Sequence, residues 1–197
     1  MNAYSLHRPV RHNFARNKFL AGCIDDVWQA DLIDVNNLYN KSYAQAYRYI
    51  LVCIDVLSKF AWVVPIKNKS ANETKRGFEL ILEKGRKPNY IQIDQGKEFE
   101  GECKRYLKTK NVKLYSTHTN TKFKAGIAER FNRTLKEKMY RMFTHNKNKK
   151  YIDVLDELIY NYNNTIHRSH GLRPSSVSVG NQDLVFERIY GYNKNKG

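Results

Sequence analysis

The chain carries 35 lysines and arginines against 19 aspartates and glutamates over 197 residues, a formal net charge of +16. That length suits one domain with a sizeable core, and 41% hydrophobic residues with aromatics dispersed throughout exclude a disordered chain. No apolar run approaches the ~20 residues of a membrane helix, the polar start has no secretory core, and three widely spaced cysteines (Cys23, Cys53, Cys103) fit neither a disulfide framework nor a Cys-x-x-Cys metal site.

Residues 1–24 mix basic and apolar side chains without a period and predict a basic N-terminal arm. Three strands follow at 27–35, 47–56 and 60–67, each rich in β-branched and aromatic residues. The polar stretch NNLYNKSYAQA separates the first two, and a Leu-Ser-Lys turn joins the second to the third. From Ser70 the period changes to that of a helix. Ser70 is a candidate N-cap, Phe78, Leu80, Ile81 and Leu82 supply an apolar face, and Gly85 and Pro88 end it. YIQID (90–94) predicts a fourth strand, GECKRYLKTK (101–110) a helix and VKLYST (112–117) a fifth strand. This order predicts an α/β fold: a five-stranded mixed sheet, an antiparallel meander extended by parallel crossover strands, flanked by helices. HTNTKFKAG (118–126) has no period and reads as a loop; amphipathic helices follow at 124–142 and 151–164, the second stopped near Gly171 and Pro174. Residues 179–197 are expected to be a partly disordered C-terminal extension.

The positive charge is concentrated. Residues 104–150 hold fifteen lysines and arginines against only Glu129 and Glu137, a footprint suited to nucleic acid. On the helix at 124–142, Ile127, Phe131, Leu135, Met139 and Met142 form one apolar stripe, while Glu129, Arg133, Lys136 and Tyr140 share the opposite side. A glutamate in a first turn is favourable to the helix dipole with no function at all. Glu129 gains meaning from two other acids: Asp31 inside the first strand and Asp94 closing the fourth. If the crossover sets the fourth strand beside the first, these two face each other where ligands of α/β sheets collect. Three carboxylates at close range repel unless cations hold them. Two hard cations bridged by carboxylates are a recurring apparatus for in-line displacement at phosphorus, and Mg²⁺ suits such oxygen ligands.

On WQADLIDV, YILVCIDVLSKFAWVVPIKNK, IDQGKEF, GIAERFNRTLKEKM and YNNTIHRSHGLRP, the chain resembles the catalytic core of retroviral-type integrases, the DDE (Asp, Asp, Glu) recombinases with an RNase H-like fold. The match runs from about Trp28 to Pro174 and is most similar to integrases of Maverick/Polinton transposons and virophages. The resemblance implies that Asp31, Asp94 and Glu129 are catalytic and hold two Mg²⁺ (or Mn²⁺) ions. It implies metal-dependent 3′-end processing and strand transfer of element DNA into target DNA, with double-stranded DNA as partner. A homodimer of the core and a higher multimer on DNA go with it. Arg133 and Lys136 match basic positions that contact the DNA end, and Lys122, Lys124 and Arg130 are expected DNA contacts beside them. Asn132 belongs to the same motif and is expected to orient local hydrogen bonds; His167 matches a histidine read as structural. Asp34 and Asp55 match positions the family does not use for metal.

The chain also departs from the pattern. Only 34 residues separate Asp94 from Glu129, one fewer than the usual retroviral spacing, which predicts a shortened loop. His7, His12 and Cys23 lack zinc-site spacing, so no zinc-binding domain is expected, and 25–178 is read as a catalytic core, a fragment or a reduced protein. Two rivals remain open: a hydrolytic RNase H-like nuclease, which cuts but never joins, and an inactive domesticated DNA-binding module. The second would gain from losing the clustered acids that this chain keeps. With no secretion signal, an intracellular site in the host nucleus or a viral particle is expected.

Overall fold

The computed structural model describes residues 20–38, 47–94, 96–116, 125–147 and 150–191. The expected arm at 1–19, the loop at 117–124 with Lys122 and Lys124, and the last six residues lie outside the described residues.

Strands β1 (Val27–Asp34), β2 (Tyr49–Asp55) and β3 (Ala61–Ile66) form the antiparallel meander. Helix α1 (Ala71–Leu82) crosses over to β4 (Tyr90–Ile93), which runs parallel to β1; helix α2 (Glu102–Thr109) crosses over to β5 (Lys113–Ser116), parallel to β4. The sheet order is therefore β3-β2-β1-β4-β5, the five-stranded mixed sheet expected from the sequence. Helices α3 (Gly126–Asn146), α4 (Ile152–Asn164) and α5 (Gln182–Tyr190) complete the described chain.

Alternation of side chains along each strand divides the core in two. On one face, Trp28, Ala30, Leu51, Cys53, Ile91 and Ile93 pack with Phe78 and Ile81 of α1 and Cys103 and Leu107 of α2. On the other, Ile33, Val52, Ile54 and Val63 meet Phe131, Leu135 and Met139 of α3 and Leu155 and Leu158 of α4. Each fully buried Leu, Ile or Phe contributes about 1.5–3 kcal/mol to holding the layers together. Ser70 caps α1 by accepting the Glu73 N–H at 3.3 Å. Gly77 lets α1 lie against β2, because a Cβ there would stand 2.7 Å from Leu51 Cδ2.

Three expectations are corrected. α3 runs four residues past the expected end at 142, to Asn146, where Lys147 turns left-handed. α4 ends at Asn164, the end expected from the 151–164 stretch, with Gly171 and Pro174 lying beyond it. It stops there with buried Asn163, whose carboxamide accepts the Ala61 N–H and donates to the Ala61 carbonyl, each at 2.9 Å, tying the helix to β3. The stretch 182–190 is a helix packed on the core: Val185 and Phe186 of α5 join Ala21, Val27, Val56, Leu57 and Val177 in a third cluster. Ala21 N–H donates to Tyr190 Oη and Ile24 N–H to Gln182 Oε1, both at 3.1 Å, so residues 21–24 are clasped into the folded unit rather than forming an arm. Among the described residues, no helix is long and apolar enough to cross a membrane.

Candidate active site

The register of β1 on β4 pairs Gln29 with Gln92 and Ala30 with Ile93, so Asp31 and Asp94 are the next residues along two neighbouring parallel strands. Both lie on the sheet face that carries α3, because residues of opposite parity, Ala30 and Ile93, pack into the α1/α2 layer. Asp31 is half-buried and Asp94 exposed. Glu129 sits in the first turn of α3, exposed, and one turn on, Asn132 Nδ2 donates to Asp31 Oδ2 at 2.6 Å. That bond brings the start of α3 onto the strand that carries Asp31.

Burial pushes the Asp31 carboxyl above its ordinary value, and the charges of Asp94 and Glu129 push it further up. The Leu32 N–H, at 2.8 Å from Asp31 Oδ1, and the Asn132 carboxamide act in the opposite direction. The charged state of Asp31 is thus costly in the metal-free protein. Among the described residues, no three acid, histidine or cysteine side chains are grouped tightly enough to cage an ion as they stand. The donor set nevertheless suits a hard cation: all three groups are carboxylates, two are solvent-open and free to swing, and a positive charge would relieve the strain on Asp31.

The competing acids are engaged elsewhere. Asp34 turns to Asn36, accepting its N–H at 2.8 Å and its Nδ2 at 2.7 Å, and the Asn36 N–H holds its carboxyl below the ordinary value. Asp55 is fully buried, where it accepts Ser58 Oγ and Arg86 Nη2, both at 2.6 Å, and Leu57 N–H at 3.1 Å. Arg86 also pairs with Asp25 at 2.8 Å and stacks over Trp62. Asp55 therefore anchors the turn between β2 and β3. Arg130, Arg133 and Lys136 are exposed on α3, leading away from Glu129. His167 Nδ1 accepts the Ser169 N–H at 3.2 Å, and its ring stacks on His170 at 5.3 Å, a structural arrangement.

Two residues of this region escape sequence reasoning. Gln29 and Gln92 are buried glutamines in strands, and their only signal is that polarity; their partners are remote in sequence. The apolar face of α4, Ile152, Leu155, Ile159 and Tyr162, packs within the chain in the cluster shared by α3 and the sheet.

Known proteins resemble this chain in sequence and in fold. A transposon-derived protein of Caenorhabditis elegans is 34% identical over 134 residues, covering 67% of this chain and 46% of its own length. The retrovirus-related Pol polyprotein from transposon 297 of Drosophila melanogaster is 29% identical over 139 residues, covering 68% of this chain and 13% of its own. This chain thus spans less than half the length of either. The catalytic core domain of HTLV-2 integrase, solved in complex with magnesium, superposes with a TM-score of 0.67 over 80% of this chain and 99% of that one; at 19% identity this bears on the fold. No family model matches the chain.

Proposed function

We propose that this chain, a retroviral-type integrase catalytic core, processes the 3′ ends of element DNA and joins them to target DNA. The observation that carries this reading is the convergence of Asp31, Asp94 and the first turn of α3, tied by the Asn132–Asp31 hydrogen bond. Asp31, Asp94 and Glu129 would hold two Mg²⁺ or Mn²⁺ ions, which when bound supply the positive charge that activates an attacking oxygen and stabilises the leaving one. Asn132 keeps one Asp31 oxygen oriented and leaves the other at the Leu32 N–H. Arg130, Arg133 and Lys136 offer cations along α3 for the phosphate backbone, which positions the scissile phosphate without reading sequence. Lys122 and Lys124, outside the described residues, are proposed as further DNA contacts. In processing, water attacks phosphorus and a 3′-hydroxyl is freed; in joining, that hydroxyl attacks a target phosphodiester, whose bond to the target 3′-oxygen breaks to release a target 3′-hydroxyl.

A homodimer of the core belongs to this proposal, as does action in the host nucleus or a viral particle. Structures of the HTLV-2 core are described in dimeric and trimeric forms. The deciding experiment offers labelled candidate element ends and unrelated ends, with target duplex and Mg²⁺. Shortened ends together with joined products support the integrase reading. Cleavage without joining identifies a hydrolytic nuclease, and binding without either identifies a DNA-binding module.

A further inference from the structure

Helix α3 begins without a cap of its own. Ala125, the residue before its first turn, makes no side-chain hydrogen bond, although the first amides of any helix need acceptors. They find one on β1, about a hundred residues upstream. Gln29 Oε1 accepts the Ile127 N–H at 2.9 Å and the Ala128 N–H at 3.0 Å, the second and third helical positions that an N-cap side chain ordinarily serves. The other end of the carboxamide is fixed too: Gln29 Nε2 donates to Gln92 Oε1 at 2.8 Å. Gln29 is 1% exposed and Gln92 0%, so the pair is dry. Donation to Gln92 decides that the oxygen of Gln29, not its nitrogen, faces the helix.

Strand parity gives this cap its meaning. Gln29 and Gln92 are register partners, and Asp31 and Asp94 each follow two residues later on the same sheet face. The carboxamide pair is one layer, the acid pair the next. Glu129 is the residue after the second capped amide, and its own N–H closes the first turn on the Ala125 carbonyl at 3.0 Å. A slip of α3 relative to β1 would strand two amides in a dry interior.

We propose that Gln29, aligned by Gln92, is a positioning residue: it caps α3 from the sheet and sets Glu129 at the level of Asp31 and Asp94. This rests on the integrase reading of those three acids. Gln29→Met keeps the length of the side chain but removes the acceptor, and Gln29→Glu keeps an acceptor toward the two helix amides. Both are compared with the full parent chain by amide hydrogen exchange without metal, by calorimetric Mg²⁺ titration and by duplex DNA affinity without Mg²⁺. In Gln29→Met, exchange at Ile127, Ala128 and Glu129 rises roughly ten-fold while the later turns of α3 stay protected. Mg²⁺ affinity falls roughly ten-fold, and DNA affinity is unchanged. Gln29→Glu restores the protection and returns Mg²⁺ affinity to the parent level or above. Unchanged exchange in Gln29→Met overturns the cap, and faster exchange with unaltered Mg²⁺ affinity overturns the positioning role. Should Gln29→Met not fold, Gln92→Leu leaves the acceptor but frees its orientation; first-turn exchange and Mg²⁺ affinity equal to the parent's then reject the proposal. A parent that binds no Mg²⁺ sinks the integrase reading instead, and exchange alone then upholds or overturns the cap.

Discussion

Replacing Asn132 with leucine separates stability from chemistry at the candidate site. The bond it removes, Asn132 Nδ2 to Asp31 Oδ2 at 2.6 Å, has a carboxylate acceptor, and such bonds contribute about 1.5–3 kcal/mol. The same side chain carries a cost: Asn132 Oδ1 is buried with no hydrogen-bond partner among the described residues, a loss of about 1–3 kcal/mol that leucine relieves. The two effects partly cancel, so urea unfolding without metal should show a net loss of at most about 2 kcal/mol. Asp31, however, loses its orienting donor and keeps only the Leu32 N–H. Mg²⁺-dependent cleavage should fall about 10–100-fold, as when other groups that orient metal ligands are removed. The Asn132 bond also holds the Asp31 carboxyl down against burial and its acidic neighbours. Its loss raises that carboxyl further, so the acid limb of the cleavage profile should move to higher pH. A variant that loses 3 kcal/mol or more and cuts like the parent would show the bond to be structural, refuting its role at the site.

Three further outcomes are expected. Glu129→Gln should stay folded and lose both cleavage and joining, with Mg²⁺ raising its melting temperature less than the parent's; an active variant destabilised by about 0.3–1 kcal/mol would mean the glutamate serves only the helix dipole. Arg133→Ala and Lys136→Ala together should weaken duplex binding across sequences and flatten the slope of log K against log salt by about 0.9 per lost phosphate contact, so an unchanged slope places these side chains off the DNA. Burial and the neighbouring His170 hold His167 down to about 4 from an ordinary 6.5. The unfolded chain therefore binds its proton first, and stability falls as pH drops from about 6.5 to 4, by roughly 1–2 kcal/mol after allowing for the ring's partial exposure. Denaturant midpoints across that range should be flatter in His167→Phe, and an identical pH dependence in the two proteins would reject this.

The sequence by itself determined what consecutive residues can encode. Runs of β-branched, aromatic and other apolar residues marked the five strands, Ser70 marked the start of α1, and the apolar stripe through Phe131, Leu135 and Met139 marked α3. The three candidate acids could be singled out because each sits in a short motif, Asp31 inside β1, Asp94 just past β4 and Glu129 in the first turn of α3, and the order of elements allowed β4 to lie beside β1. Tertiary structure alone decided the rest, since the deciding contacts join residues far apart in the chain. Asn163 finds Ala61 across 102 residues and ties α4 to β3; Asp55 is taken out of the competition by Arg86, 31 residues on; α5, with a weak periodicity of its own, is stabilised by burying Val185 and Phe186 against Val27 and Leu57. Gln29 reaches the first turn of α3 across 98 residues. A hydrogen bond of that span leaves no periodic trace, because the amides it satisfies are set opposite it only when the sheet and the helix pack.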